Sequence, residues 1–206
     1  MNIKLKKSLL KNRKLSIQIT GSKSESNRLL LLQALYPQIC IHNLSNSDDS
    51  LVMKKALSDS SNVIDIHHAG TAMRFLTAFF ATQKGREVVL TGSTRMQERP
   101  IKILVDALNT LGANINYQKN EGYPPLVIHG KELKNNEVTL SANVSSQYIS
   151  ALLLIAPKLK NGLILNLEGK ITSVPYINMT LDLLQQIGVE TFFKNNCIQI
   201  KPLQAT

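Results

Sequence analysis

Five short segments carry residue types and spacings suited to one kind of chemistry, the capture of small oxygen-rich anions. The first, Gly21-Ser22-Lys23-Ser24-Glu25-Ser26-Asn27-Arg28, stands between an alternating stretch (Leu15, Ile17, Ile19) and the apolar run Leu29 to Leu32. Gly and Ser permit a tight turn with free backbone N–H groups, and Ser22 or Ser24 suits the cap of the helix that follows. Lys23 and Arg28 add two cations within about one and a half helical turns. A helix start with exposed N–H groups beside cations is a ready site for phosphate or carboxylate. The second segment, Ala69-Gly70-Thr71-Ala72-Met73-Arg74, repeats the pattern. Gly70 lets a ligand approach the backbone closely, and Thr71 is suited to capping. The third, Thr91 to Pro100, sets Arg95 and Arg99 at a helix entry. Positive charge is unfavourable there unless an anion offsets it, and a guanidinium fork suits carboxylate or phosphate. The fourth puts Ser145, Ser146 and Gln147 at a helix start, and the fifth, Ser173-Val174-Pro175-Tyr176, offers a cap-like hydroxyl and a phenol. Taken singly, each segment reads equally well as a capped helix with solvated charges.

The elements that must position these residues follow a repeat. Three apolar helices are expected directly after the small polar segments, over Asn27–Leu35, Ala72–Ala81 and Tyr148–Ala156. Helices apolar on every side are buried ones. A second helix follows each, over Ser50–Leu57 (opened by Asp48-Asp49 as capping residues), Ile101–Leu111 and Ile177–Ile187. Asp106-Ala-Leu-Asn-Thr-Leu-Gly112 resembles Asp182-Leu-Leu-Gln-Gln-Ile-Gly188, each closed by the glycine favoured just past a helix. Hairpins are expected after these two, pairing Asn114–Tyr117 with Leu126–His129 and Glu190–Phe193 with Cys197–Ile200. One strand sits between the helices of each unit, at Ile39–Leu44, Val88–Leu90 and Ile164–Leu167. The pattern is strand–helix–strand–helix–strand–strand, three times. The first copy is the most degenerate, with Val63–Ile66 as its remnant strand. Such a repeat predicts pseudo-symmetric packing with the buried helices parallel and their N-termini pooled at one surface.

Composition narrows the partners. The 206 residues are 43% hydrophobic and 18% charged, as in a globular protein with a substantial core. Lys and Arg number 24 against 14 Asp and Glu, a net charge of +10 that concentrates anions. Nucleic acid is one such anion, but aromatics are only 5% and Trp is absent, which leaves few stacking platforms. Cys40 and Cys197 form no C-x-x-C pair and read as reduced core or strand residues. His42, His67, His68 and His129 lack metal-ligand spacing, and there is no nucleotide P-loop motif. No signal peptide or membrane-length apolar run is visible, so a cytoplasmic location is expected.

Taken together, the segments resemble the 5-enolpyruvylshikimate-3-phosphate synthases (3-phosphoshikimate 1-carboxyvinyltransferases). The likeness rests on G-S-K-S-E-S-N-R at 21–28, A-G-T-A-M-R at 69–74, R-M-Q-E-R-P at 95–100, Y-P-P-L at 123–126, V-S-S-Q at 144–147 and S-V-P-Y at 173–176, in that order. It implies an α/β (α+β) fold: one lobe of the enolpyruvyl transferase fold, with three βαβαββ units and buried parallel helices. It implies transfer of the enolpyruvyl group of phosphoenolpyruvate to the 5-hydroxyl of shikimate 3-phosphate, with release of phosphate and with no metal or organic cofactor. By position, Lys23 would touch both substrates. Ser24 and Arg28 would bind shikimate 3-phosphate. Gly70 and Arg99 would hold phosphoenolpyruvate. Ser145, Ser146 and Ser173 would bind the shikimate phosphate, Gln147 would lie between the substrates, and Tyr176 would line the pocket. Thr71, Arg74 and Arg95 would support these. Two positions depart from the pattern: Phe75 stands where many members have Pro, and His68 where Asn is common. A changed residue in that helix is expected to shift Gly70 and alter the tightness for phosphoenolpyruvate or for the herbicide glyphosate, which occupies its site in the family.

The family is typically about twice as long as one lobe. The resemblance therefore implies that residues 14–206 are a substrate-binding lobe and that residues 1–13 are an opening strand belonging to a second lobe. That lobe would also supply the carboxylates for proton transfer, so this chain alone is expected to be inactive. The partners implied are the two substrates and the second lobe, with no nucleic acid and no membrane. Three rivals are a UDP-N-acetylglucosamine enolpyruvyl transferase, a basic nucleic-acid-binding module and a non-catalytic anion-binding lobe.

Overall fold

The structure is a computed structural model, and it describes Lys4, Lys6 and residues 16–203. The expected opening strand at 1–13 lies outside the described residues, apart from those two lysines. So does Leu15. The helices are α1 (Lys23–Leu35), α2 (Asp48–Ser58), α3 (Gly70–Ala81), the single turn α4 (Thr94–Gln97), α5 (Lys102–Thr110), α6 (Ser146–Ile155) and α7 (Val174–Gln186). The strands are β1 (Val63–Asp65), β2 (Glu87–Thr91), β3 (Ile115–Tyr117), β4 (Leu126–His129), β5 (Glu137–Ser141), β6 (Leu163–Glu168), β7 (Thr191–Lys194) and β8 (Cys197–Ile200). Among the described residues no helix is long and apolar enough to cross a membrane.

The strands form two four-stranded sheets with the same plan. Their orders are β1-β2-β4-β3 and β5-β6-β8-β7. In each, the first two strands are parallel and joined through a buried helix, Val63 facing Val89 in one sheet and Glu137 facing Ile164 in the other. The last two form an antiparallel hairpin. At the second hairpin Asn195 and Asn196 take φ of 49° and 60°, as a two-residue turn with left-handed residues requires. Gly112 and Gly188 take φ of 102° and 89° just past α5 and α7, the helix-ending role expected for them.

Four expectations need correction. Residues 16–20 form no strand, and Ile17 and Ile19 are 78% and 75% exposed. Ile39–Leu44 also forms no strand. In both places the alternation of apolar residues is present, but among the described residues no neighbouring strand offers a ladder. Val63–Ile66 is not a remnant of the first unit: β1 pairs in parallel with β2 and opens the second. The matching opening strand of the third unit, β5, lies in a segment that gave no strand in the sequence reading. Among the described residues the first unit therefore contributes helices α1 and α2 without a sheet.

The core lies between these layers. Every residue of α3 is buried, as are Tyr148 to Ile155 of α6. These two helices pack on each other; α6 also packs on α7, and α1 on α2 and α3. Arg28 of α1, Phe75 of α3, Ser150 of α6 and Thr180 of α7 meet, each in the second turn of its helix. Contact this near the start of each helix brings the four N-termini together at one end of the lobe. Cys40 is exposed and outside any strand, whereas Cys197 is half-buried on β8; both are free thiols.

Candidate anion-binding site

The shared end is built around the start of α3. The chain arrives from β1 through His67, whose φ is 50°. Asp65 Oδ1 accepts from the His67 amide at 2.7 Å, and the His67 carbonyl accepts from the Ser93 amide at 2.9 Å. This loop delivers Ala69 as the helix cap. Ala69 has no side-chain acceptor, so α3 begins without a side-chain cap. Thr71 does not cap, contrary to expectation; its hydroxyl accepts from Gln147 Nε2 at 3.2 Å and ties α3 to α6. A helix start with unsatisfied N–H groups needs an acceptor from elsewhere.

Arg99 lies directly over this start. A β-carbon built on Gly70 would overlap the Arg99 guanidinium, so glycine is what lets the arginine approach the first turn. Arg95 and Arg99 are exposed and line, with His68 and Met96, a cleft of about 540 Å³. The one-turn helix α4 presents them. Ser93 caps it, accepting from the Met96 amide at 3.3 Å. Pro100 precedes α5 rather than sitting inside its first turn, since the helix is capped at Ile101.

Arg74 works from beneath. It is 4% exposed and donates to the Gly70 carbonyl at 3.2 Å and the Pro100 carbonyl at 3.1 Å. Tyr148 donates its hydroxyl to the same Pro100 carbonyl at 2.7 Å. The chain bearing Arg95 and Arg99 is thereby braced against both α3 and α6. Burial holds the Arg74 pKa below its ordinary value, yet the guanidinium remains charged at neutral pH.

Arg28 is the most enclosed cation among the described residues. It is 3% exposed, and desolvation lowers its pKa to about 10, against the opposing influence of Tyr176. Its Nε donates to Thr180 Oγ1, its Nη1 to the Ser24 carbonyl and its Nη2 to Ser150 Oγ, each at 2.7 Å. Thr180 donates its own hydroxyl to the Tyr176 carbonyl at 2.8 Å, so the proton between Ser150 and Thr180 belongs to Ser150. The rings of Phe75 and Tyr176 face the guanidinium at 5.5 Å and 5.9 Å. All these partners are uncharged, and the positive charge is not neutralised by them.

The remaining expected residues lie at the same helix starts. Ser22 caps α1, accepting from the Glu25 amide at 3.4 Å, and Lys23 follows it with its ammonium 3.9 Å from Asp49. Ser24 contributes its carbonyl to Arg28. Ser47, not Asp48 or Asp49, caps α2; the two aspartates fill the first turn, where they suit the helix dipole. Ser145 caps α6, accepting from the Gln147 amide at 3.3 Å, with Ser146 half-buried beside it. Ser173 stands at the cap position of α7 but makes no side-chain capping bond, and Tyr176 is 46% exposed. The structure thus joins Gly70 with Arg99, Thr71 with Gln147, Lys23 with Asp49, and Arg28 with Tyr176. Ser145 meets Gln147, and the Ser173 carbonyl accepts from the Tyr176 amide at 3.0 Å, each within its own helix start. The sequence reading missed Ser150, Thr180, Tyr148 and Asp49. Only the helical spacing of Tyr176 and Thr180 could have pointed to one of them.

Known proteins similar to this chain form one family. Residues 52–206 match the family model described as EPSP synthase (3-phosphoshikimate 1-carboxyvinyltransferase). A 3-phosphoshikimate 1-carboxyvinyltransferase of Bacteroides fragilis is 53% identical over 191 residues, covering 92% of this chain and 46% of that protein. One from a Shewanella species is 40% identical over 201 residues, covering 84% and 47%. An EPSP synthase structure from Acinetobacter baumannii superposes with a TM-score of 0.75 at 20% identity, over 91% of this chain and 47% of that one. The chain spans about half the length of the curated relatives it matches.

Proposed function

The chain belongs to the EPSP synthase family, and from that premise we propose that it is one substrate-binding lobe of a 3-phosphoshikimate 1-carboxyvinyltransferase. The overall reaction would add the 5-hydroxyl oxygen of shikimate 3-phosphate to C2 of phosphoenolpyruvate while C3 takes up a proton. Loss of phosphate from C2 and of a proton from C3 would then leave the enolpyruvyl ether. The observation that carries the reading is Arg99 seated over the uncapped start of α3 at Gly70. A guanidinium there raises the electrostatic cost of the helix start, and a bound phosphate or carboxylate removes it.

In this reading Gly70 and Arg99 hold phosphoenolpyruvate, with Arg95 and Thr71 in support and Arg74 fixing the loop. Arg28, Ser24, Ser145, Ser146, Ser173 and Tyr176 receive shikimate 3-phosphate, while Lys23 and Gln147 stand between the two. Preorganised cations of this kind stabilise charge that builds up on the transferred group. The facing lobe supplies the proton-transfer carboxylates, and closure of the two lobes excludes water. In this reading residues 14–206 would be the lobe, and residues 1–13 would belong with its partner.

Calorimetric titration of the chain with shikimate 3-phosphate, using shikimate and inorganic phosphate as controls, tests this. Selective binding of the phosphorylated substrate, lost in Arg28→Ala, is expected, with no release of phosphate from phosphoenolpyruvate by the chain alone. Equal affinity for all three compounds by a folded chain would overturn the assignment.

A further inference from the structure

The described arginines divide by what their N–H groups do. Arg28 and Arg74 spend theirs on oxygens within the lobe, and Arg86 on the carbonyls of Asp59, Ser60 and Ser61. Arg95 and Arg99 make no side-chain hydrogen bond or ion pair among the described residues, although both line one cleft of about 540 Å³. His68 lines the same cleft, is exposed, and has a ring equally unspent among those residues. Its backbone is fixed. The Ala69 amide donates to the Ile66 carbonyl at 3.0 Å and closes a turn around His67 and His68. The Ser93 amide, at the cap of α4, donates to the His67 carbonyl at 2.9 Å. The turn bearing His68 is thus tied to the segment that carries both arginines.

We propose that His68 is a further ligand of the anion site, whose protonated ring donates to the same phosphate or carboxylate as Arg95 and Arg99, so that the site holds its anion more tightly as pH falls. Histidine is the side chain whose charge ordinarily changes near neutral pH. An oxyanion seated on the arginines attracts the protonated ring, and by linkage protonation of the ring strengthens the hold on the oxyanion. Charges of both signs face His68. Arg95 and Arg99 stand on one side; Asp48 and Asp49 of α2 line a second cleft with His67 and His68 on the other. Lys23 pairs with Asp49, and Asp65 accepts from the His67 amide. The proposal rests on the reading of Gly70 and Arg99 as the seat of phosphoenolpyruvate. The plain alternative is an exposed turn residue that leaves affinity unchanged.

Sulfate is the first probe, because it keeps its full charge where histidine titrates, whereas a phosphate monoester takes up a proton at about pH 6. Its affinity for the full chain is read by NMR titration at about pH 5.5 and about pH 8, with chloride matching the ionic strength. The wild type is expected to bind sulfate about tenfold more tightly at the lower pH, with the His68 ring signals moving as it binds. His68→Gln is expected to bind weakly at both pH values, and His68→Lys, whose charge is permanent over this range, tightly at both. His67→Asn, which keeps a residue tolerant of the left-handed backbone, should behave as the wild type. An equal pH ratio in His68→Gln and wild type, or His68 ring signals that ignore sulfate at the lower pH, would overturn the proposal. Phosphoenolpyruvate is then titrated into the same proteins. If it fails to bind the wild type while sulfate still acts through His68, the substrate reading fails and the ligand role of His68 stands. If it binds and sulfate shows no dependence on His68, the proposal alone fails.

Discussion

Gly70 shows how one absent side chain makes a site. A methyl group there meets the far end of Arg99, which is exposed and able to swing away. Gly70→Ala is therefore expected to leave the fold intact while displacing the arginine. Phosphoenolpyruvate should shift the Arg99 side-chain NMR signals in the wild type and leave them unmoved in the variant. Tyr36 presents the opposite case, a polar atom with no use for its burial. Its hydroxyl has no hydrogen-bond partner among the described residues, and desolvation pushes its pKa up to about 12. A folded-state pKa raised above the unfolded value of about 10 contributes stability in full below pH 10 and loses it as pH rises through 12. Tyr36→Phe should gain about 1 kcal/mol at pH 7 and lose less between pH 10 and 12, measured by urea unfolding at both ends. Arg28 titrates in the opposite sense over part of that range, and the comparison between variants cancels it.

Among the elements, the loop from α4 to α5 is the one whose geometry the site depends on most. It is exposed at Arg95, Glu98, Arg99 and Pro100, yet it is anchored at both ends. The Ile101 amide donates to the Gly122 carbonyl at 2.8 Å, and the Pro100 carbonyl accepts from both Arg74 and Tyr148. Tyr148→Phe removes one donor without emptying the core. It is expected to cost about 1 kcal/mol and to speed amide exchange over residues 96–101, leaving α7 unchanged. Exchange that rose equally in α7 would mean that the tyrosine supports the lobe as a whole. The four-residue α4 was not legible beforehand, because a single turn has no periodicity to read.

At the scale of the molecule, α6 is the shared wall. It packs against α1, α3, α5 and α7, and Leu153 within it is fully buried. A helix so placed joins helices of all three units, so the units should not melt separately. Leu153→Ala is expected to cost about 2–5 kcal/mol and to keep a single unfolding transition, coincident by circular dichroism and tyrosine fluorescence. Two separated transitions would show that the units fold independently. Leu152 and Leu154, equally buried on other faces of the same helix, explain why the sequence there is apolar on every side.

Local and periodic features were readable from the chain itself. The strongly apolar stretches after Gly21, Gly70 and Ser146 were legible as buried helices, since little in them could face water. Gly112, Gly188 and the Asn195-Asn196 turn ended their elements because few other residues accept a positive φ. Pooled helix starts followed from the repeat, and with them most of the candidate site. Partnership was not readable. Whether Ile39–Leu44 or Val63–Ile66 becomes a strand depends on which neighbour offers a ladder, and an isolated extended segment has none. The seat of Arg28 depends on Phe75, Ser150 and Thr180, from three different helices distant in sequence. Spacing along a chain fixes which face of a helix a residue occupies, but only packing brings four such faces together, here around a cation whose hydrogen-bond partners are all uncharged.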